Sequence, residues 1–274
     1  MDAQTSGDRK QPGVTCGRAV AVWPADLRRT LDTVVANGYG AAELAVSTLH
    51  CILNGKVVEA QVERIAGTCA AFADRLAFSV HSPAVLDLRD QGEPDLHRDI
   101  LLGCVRFAGA IRAKVLVVHY EARSDDARVE AQYRAAIEAA AEVAGRYEVI
   151  LGIENIEVER TERVLEFLEG FKHPWVRMTY DFAHDYLAGD LFGYDHLQSA
   201  AAAAAYAAHL HLTDNFGRFN QARFGDFNLY RLTPFANKAI TGVGDLHLPL
   251  GWGTLPAAEV YGKFAARGYQ GLLI

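Results

Sequence analysis

The sequence predicts a single (β/α)8 barrel. Three observations support this: eight strand-like apolar runs occur along the chain, helical segments alternate with them, and most of the runs end in a His, Asp or Glu. The length of 274 residues, 50% of them hydrophobic, suits one barrel of about 250 residues. No linker rich in Pro, Ser or Gly divides the chain. We therefore expect one domain over residues 16–274, after a disordered leader over residues 1–15.

The predicted elements follow one another in regular order. The strand-like runs read CGRAVAVW, AAELAVS, LAFSVHS, KVLVVHY, VILGIEN, VRMTYDF, AHLHLTD and GLLI. Their β-branched and apolar residues are typical of buried strands. Apolar residues at helical spacing predict helices over residues 26–37, 57–72, 96–111, 131–146, 161–168, 194–206 and 256–267.

A long insertion separates the seventh strand from the last helix. It covers residues 215–244 and is rich in Phe, Asn, Arg and Gly. A connection of about thirty residues inside a compact domain is commonly a lid or a binding loop. A decoration that varies among relatives is an equally good interpretation.

Composition restricts the class of protein. No apolar run reaches the ~18 residues of a membrane helix, and the polar N-terminus lacks the apolar core of a signal peptide, which predicts a soluble, cytoplasmic protein. The four cysteines show no C-x-x-C spacing and are expected to be buried, reduced thiols. A formal net charge of -7 without Lys and Arg clusters argues against a nucleic acid as partner.

The candidate site is a set of polar residues at the ends of the predicted strands. The carboxyl ends of the strands of a parallel barrel lie on one face, so these residues are expected to converge. All of them can bind a metal ion: His81, His119, Glu154, Asp181, His184, His211, Asp245 and His247. Glu154, Asp181 and His211 are the firmest three, because two carboxylates and an imidazole form a common shell for a divalent ion.

The other five candidates have more than one interpretation. His184 reaches the same centre as Asp181 if the chain becomes helical after Asp181. His81 and His119 bind either a second ion or a substrate hydroxyl group. Asp245 and His247 point the same way if their segment is extended, and are either ligands or substrate contacts. His209, one pleat deeper than His211, is interpreted as structural or as a support for a ligand.

Residues of the insertion and the segment after it are candidates for substrate binding. Arg218, like Arg223 and Arg231, is suited to a phosphate or carboxylate on the substrate, although a solvated loop charge is the favoured interpretation of each. Trp252 is suited to cover the face of a sugar. Contact between subunits of a homo-oligomer explains exposed aromatic residues just as well.

Seven short motifs in order carry a resemblance to a known family. They are NGYGAAEL, HSP, VVH, GIEN, DFAH, HLHLTDN and GDLHLPLGWG. From Cys16 onward the chain resembles the xylose isomerase-like TIM barrel superfamily, which contains sugar and sugar phosphate isomerases and epimerases as well as the endonuclease IV type of nuclease.

The epimerase branch implies one divalent ion, often manganese. The resemblance places it on Glu154, Asp181, His211 and a further Glu that is expected after Ile274, with His184 near the substrate. It implies proton transfer at a carbon next to a carbonyl group, with Glu154 as one of two carboxylates that exchange the proton. The expected substrate is a sugar, a sugar phosphate or a related polyol.

The nuclease branch implies three zinc ions. Its ligand set matches all eight residues named above, and the implied reaction is hydrolysis of a phosphodiester. The acidic balance of the chain favours the isomerase or epimerase over the nuclease. A barrel that binds a metal ion and a ligand without turnover is the third hypothesis.

Overall fold

The computed structural model describes residues 14–274, so residues 1–13 of the predicted leader lie outside the described residues. The strands are β1 (Thr15–Val20), β2 (Ala41–Ala45), β3 (Ile52–Leu53), β4 (Lys56–Val57), β5 (Ala77–His81), β6 (Val115–Tyr120), β7 (Ile150–Asn155), β8 (Val176–Asp181), β9 (Ala207–His211) and β10 (Leu272–Leu273). Eight of them close into a barrel in the order β1-β10-β9-β8-β7-β6-β5-β2, and each neighbouring pair is parallel. The predicted (β/α)8 barrel is confirmed.

Helices connect the strands. They are α1 (Leu27–Ala36), α2 (Val46–Leu49), α3 (Glu59–Ala70), α4 (Pro94–Ala110), α5 (Ala127–Arg146), α6 (Thr161–Phe171), α7 (Phe182–Phe192), α8 (His196–Ala203), α9 (Ala222–Gly225), α10 (Phe227–Leu232), α11 (Phe235–Thr241) and α12 (Ala257–Ala265). The short strands β3 and β4 form an antiparallel hairpin before α3. In the described part of the chain, no helix combines the length and the apolar character needed to cross a membrane.

Local sequence explains the longest helix, α5. The Asp126 side chain accepts a hydrogen bond from the backbone N–H of Arg128, which caps the first turn. Residues of high helix propensity, mainly Ala and Glu, follow. Val129, Ile137 and Ala144 lie on the face that packs against the barrel and are buried. This face explains why the helical spacing was visible in the sequence.

Two segments differ from the sequence-based prediction. The single helix predicted over residues 194–206 is preceded by another helix, α7, which begins directly after β8. Most of α7 is buried on several sides, so it lacks the one-sided apolar spacing that reveals a surface helix. The insertion over residues 215–244 contains the short helices α9, α10 and α11.

A buried carboxylate ties α7 to its surroundings. Asp185, in the first turn of α7, accepts hydrogen bonds from the hydroxyl groups of Thr161, Tyr180, Tyr194 and Ser199. These four belong to α6, β8, the loop before α8 and α8. The bonds therefore fix α7, which carries the preceding residue His184, against the barrel wall.

Candidate metal centre

A cavity of about 720 Å³ opens at the carboxyl ends of the barrel strands. All eight predicted ligands lie on its wall: His81, His119, Glu154, Asp181, His184, His211, Asp245 and His247. The expected convergence is therefore present. Whether these residues bind a metal ion is taken up under the proposed function.

Glu154, Asp181 and His211 form the centre of the cluster. Glu154 is the residue before the last of β7, whereas Asp181 and His211 end β8 and β9 and are direct register partners. The Nδ1 atom of His211 lies 2.6 Å from Oε1 of Glu154 and 3.7 Å from Oδ2 of Asp181. One potential ligand atom from each residue lies within 4.8 Å of the others. This spacing suits coordination of a single ion.

His81 and His119 approach the other oxygen of Glu154. Their Nε2 atoms lie 3.4 Å and 3.2 Å from Oε2 of Glu154. His119 and Glu154 are register partners on β6 and β7, so their side chains point to the same face. The three residues form a second group of possible ligands that shares Glu154 with the first.

His184, Asp245 and His247 form a third group. Asp181 caps α7 by accepting a hydrogen bond from the His184 backbone N–H. The chain therefore becomes helical after Asp181, which is the condition under which His184 was expected to reach the same centre as Asp181. Oδ2 of Asp245 lies 3.5 Å from Nε2 of His184 and 2.6 Å from Nε2 of His247. His247 has a φ of 45°, a left-handed backbone conformation that is uncommon for a residue other than glycine.

The chemistry of this cluster fits divalent metal ions. Oε2 of Glu154 and Oδ1 of Asp245 are buried without a hydrogen bond to any part of the chain that the structure describes. A buried carboxylate oxygen without a donor is costly, and a cation would satisfy it. Imidazole nitrogen and carboxylate oxygen atoms are ligands that suit zinc and manganese.

The carboxylates of the site raise the pKa values of nearby histidines. Burial opposes protonation of His119, but the nearby Glu121 and Glu154 outweigh it and raise the pKa of His119 to about 9. Burial likewise opposes protonation of His211, but Glu43 and Glu154 hold its pKa well above the ordinary value. These shifts favour protonation of nitrogen atoms that face carboxylates. Metal binding would release such protons.

Glu43 is a residue of the site that the sequence analysis missed. It lies on β2 and is buried, with Oε1 2.9 Å from Nε2 of His211. Burial opposes its ionisation, but His211, His209 and His81 lower the pKa of Glu43 to about 2. The available signal was its inward position in the apolar run AAELA, two residues before the strand end.

Asn155 and Asp214 do not line the cavity, but their hydrogen bonds position backbone segments next to it. The side-chain amide of Asn155 bonds to the backbone of Asp181, and the backbone carbonyl oxygen of Asn155 lies 3.0 Å from Nδ1 of His184. The Asp214 carboxylate accepts hydrogen bonds from the backbone N–H groups of Gly251, Gly253 and Leu255. Asp214 therefore shapes the segment after Asp245 and His247.

The two predicted substrate-binding residues lie apart from the cavity wall. The Arg218 guanidinium donates to the backbone carbonyl of Thr241, and the Trp252 side chain is 70% exposed. Neither belongs to the residues that line the cavity in the described chain. Arg223 of the same insertion does line it, and its Nε lies 3.0 Å from Oε1 of Glu157.

Comparisons with solved structures identify the same architecture in sugar epimerases. A D-tagatose 3-epimerase-like protein superposes with a TM-score of 0.69 at 16% identity, covering 95% of this chain and 89% of that one. The D-allulose 3-epimerase from Methylomonas sp. gives 0.66 at 14% identity, with 95% and 83% covered. The 3-keto-D-glucoside 4-epimerase from E. coli gives 0.65 at 14% identity, with 95% and 90% covered. At these identities the similarity shows a shared fold.

The sequence comparisons give the family directly. No curated protein matches the sequence. The family profile described as xylose isomerase-like TIM barrel matches residues 31–274. This range contains every residue of the candidate metal centre. The chain belongs to the xylose isomerase-like TIM barrel family.

Proposed function

We propose that this protein is an isomerase or epimerase that depends on a divalent metal ion and acts on a sugar or related polyol. The convergence of Glu154, Asp181 and His211 at one point in a cavity of about 720 Å³ carries this proposal. The cavity has room for a small polar molecule beside an ion. The solved epimerases with the same fold support a sugar as the substrate class.

Each residue has a role in the proposed reaction. Glu154, Asp181 and His211 would hold the ion, which would supply polarisation of the substrate's carbonyl oxygen and so acidify the hydroxyl-bearing carbon next to the carbonyl group. Glu154 removes or returns the proton at that carbon through Oε2, the oxygen that has no hydrogen-bond donor in the described chain. His184, with Asp245, binds a substrate hydroxyl.

The charge of the cavity favours a neutral sugar over a sugar phosphate. Seven carboxylates line it, from Glu43, Asp87, Glu121, Glu154, Glu157, Asp181 and Asp245. The guanidinium on this wall, Arg223, is already paired with Glu157. A phosphate dianion would meet net negative charge there unless several metal ions were bound.

A second candidate function is hydrolysis of a phosphodiester with several metal ions. One observation favours it: three overlapping groups of possible ligands lie along one cavity, which exceeds the need of a single ion. Two or three divalent ions would also remove the charge argument against a phosphate. The net charge of -7 still disfavours a long nucleic acid.

One experiment on the intact protein separates the two functions. Metal content is measured after purification without chelator, and the loaded protein is incubated in D₂O with a panel of ketoses, aldoses and inositol-type polyols. About one ion per chain, with deuterium entering next to the carbonyl group, is the expected result. Two or three zinc ions with cleavage of an abasic-site oligonucleotide would favour the second function, and a protein without bound metal would refute both.

A further inference from the structure

Glu43 lies one layer below the candidate ligands, inside the barrel. Residues two positions apart on a strand face the same side, so Glu43 on β2, Ser79 on β5 and His209 on β9 form the layer beneath His81 and His211. Glu43 and Ser79 are direct register partners. Ser79 and His209 are 0% exposed and Glu43 is 3% exposed. A buried carboxylate in this place needs a reason.

Both oxygens of Glu43 are engaged, on opposite sides. Oε2 accepts a hydrogen bond of 2.9 Å from the Ser79 hydroxyl group, and Nε2 of His209 lies 3.3 Å from the same oxygen. Oε1 lies 2.9 Å from Nε2 of His211, which is an ion-pair distance, although Nε2 forms no hydrogen bond with any part of the described chain. The Ser79 and His209 contacts restrain rotation of the carboxylate, which keeps Oε1 directed at His211.

His211 therefore stands between two carboxylates, one at each ring nitrogen. Nδ1 faces Glu154 and Asp181, and Nε2 faces Glu43. A neutral imidazole carries one proton, and a nitrogen that binds a metal ion carries none. If Nδ1 is the ligand atom, the proton must reside on Nε2, next to Oε1 of Glu43.

We propose that Glu43 is a positioning residue that accepts the Nε2 proton of His211 and thereby directs Nδ1 at a divalent ion held with Glu154 and Asp181. This inference rests on the proposed metal-dependent function. A carboxylate behind a ligating histidine fixes the tautomer and the ring orientation and makes the ligand nitrogen more basic. Ser79 and His209, in the same layer as Glu43, contact its Oε2 and restrain the carboxylate.

Geometry allows one competing role for Glu43. Ligand atoms of Glu43, His81 and His211 also lie within 4.8 Å of one another. In this competing role, Glu43 binds an ion directly, together with these two histidines. The hydrogen bond from Ser79 and the position one layer deeper favour positioning. The two roles predict different effects of a neutral amide, because Gln keeps an oxygen that accepts the His211 proton but is a poor metal ligand.

The test compares metal affinity in Glu43→Gln, Glu43→Leu and the parent protein. Each protein is stripped with chelator and titrated with Mn²⁺, Zn²⁺ or Co²⁺ against a chelating indicator, and the Co²⁺ absorption spectrum is recorded. Gln61→Leu is the matched control, because Gln61 is a buried polar residue that does not line the cavity. Thermal unfolding of each metal-free protein checks the fold.

The two variants are expected to lose metal affinity to different extents. Glu43→Leu weakens metal binding by roughly 10- to 100-fold, whereas Glu43→Gln weakens it by less than about tenfold with a Co²⁺ spectrum like that of the parent. Parental affinity in Glu43→Leu, or equal losses in both variants, would overturn the positioning role. If Glu43→Leu does not fold, Glu43→Gln decides alone: a loss between about two- and tenfold supports the role, and a smaller or a larger loss overturns it. A parent protein that binds no metal would instead refute the proposed function.

Discussion

The side-chain amide of Asn155 holds the backbone of Asp181 at two points. Its Oδ1 accepts a hydrogen bond from the Asp181 N–H, its Nδ2 donates to the Asp181 carbonyl oxygen, and both bonds are 2.9 Å long. Both residues are buried. The last residue of β7 therefore fixes the place where β8 ends and α7 begins, which is where two candidate ligands lie.

We predict that Asn155→Ala weakens metal binding by about tenfold or more, because Asp181 loses the bonds that orient its backbone. Two buried backbone groups also lose their partners, which should lower the free energy of unfolding by about 1–3 kcal/mol. Indicator titration and urea denaturation measure the two effects. Asn37→Ala, at an exposed helix end, is the control. Unchanged affinity in Asn155→Ala would remove Asn155 from the site.

Glu154→Gln should abolish turnover while the protein stays folded. It removes the carboxylate that is proposed both to bind the ion and to move the proton, which is worth roughly 10²- to 10⁴-fold in rate. Deuterium exchange into the substrate measures the loss, and circular dichroism checks the fold. Glu169→Gln, which alters a carboxylate bonded to Tyr206 outside this cavity, should leave the rate unchanged. Retained activity in Glu154→Gln would contradict the assignment.

Variants of Arg223 and Arg218 test which arginine of the insertion affects substrate binding. Arg223 lines the cavity, and Arg223→Gln should raise KM by about tenfold or more, because the Glu157 carboxylate on the same wall loses its cationic partner. Arg218→Gln should change KM less than about twofold, because its guanidinium bonds to a loop carbonyl away from the cavity. Steady-state kinetics compare the two. Equal increases in KM for the two variants would support Arg218 as the substrate contact that the sequence suggested.

Gly253 is required by a close approach of two backbone segments. A Cβ atom there would collide with the backbone oxygen of Asn215 and with the carboxylate of Asp214. Gly253→Ala should lower the free energy of unfolding by about 1–3 kcal/mol and weaken metal binding at the proposed group that includes Asp245 and His247. Gly262→Ala is the control: nothing lies near its added Cβ, and in the interior of α12 alanine should stabilise by up to about 1 kcal/mol. Equal stability of the two variants would disprove the collision.

The buried His209 should make the stability of the metal-free protein depend on pH. Burial lowers the pKa of His209 from 6.5 to about 4. Above pH 6.5 both the folded and the unfolded state keep it neutral. As the pH falls from 6.5 to 4 the unfolded state binds the proton first, so stability decreases, by up to about 3 kcal/mol.

Urea unfolding of the chelator-treated protein at several pH values measures this dependence. His209→Gln removes the titrating group, so the difference in unfolding free energy between it and the parent should change over the same pH range. His50→Gln, which alters an exposed histidine, is the control and should follow the parent. A constant difference between parent and His209→Gln would show that His209 is not the source.

The strand ends and the polar residues near them were readable from the sequence because each depends on local pattern. β-branched runs such as VLVVHY and VILGIEN indicate strands, and the polar residue that closes each run marks its end. Parallel closure then brings the ends together. The helix α7 was missed because its burial on several sides erases the apolar spacing, and the helices of the insertion were missed because each is shorter than two helical turns.

The sequence by itself determined the barrel, the order of its strands and the chemical character of its pocket, because each follows from the nature and spacing of neighbouring residues. Only the tertiary structure decided which nitrogen of His211 faces which carboxylate, that Glu43 lies beneath the ligands, and that Arg223 instead of Arg218 reaches the cavity. These relationships join residues tens to more than a hundred positions apart. They depend on strand register and on the path of the insertion, which no local pattern encodes.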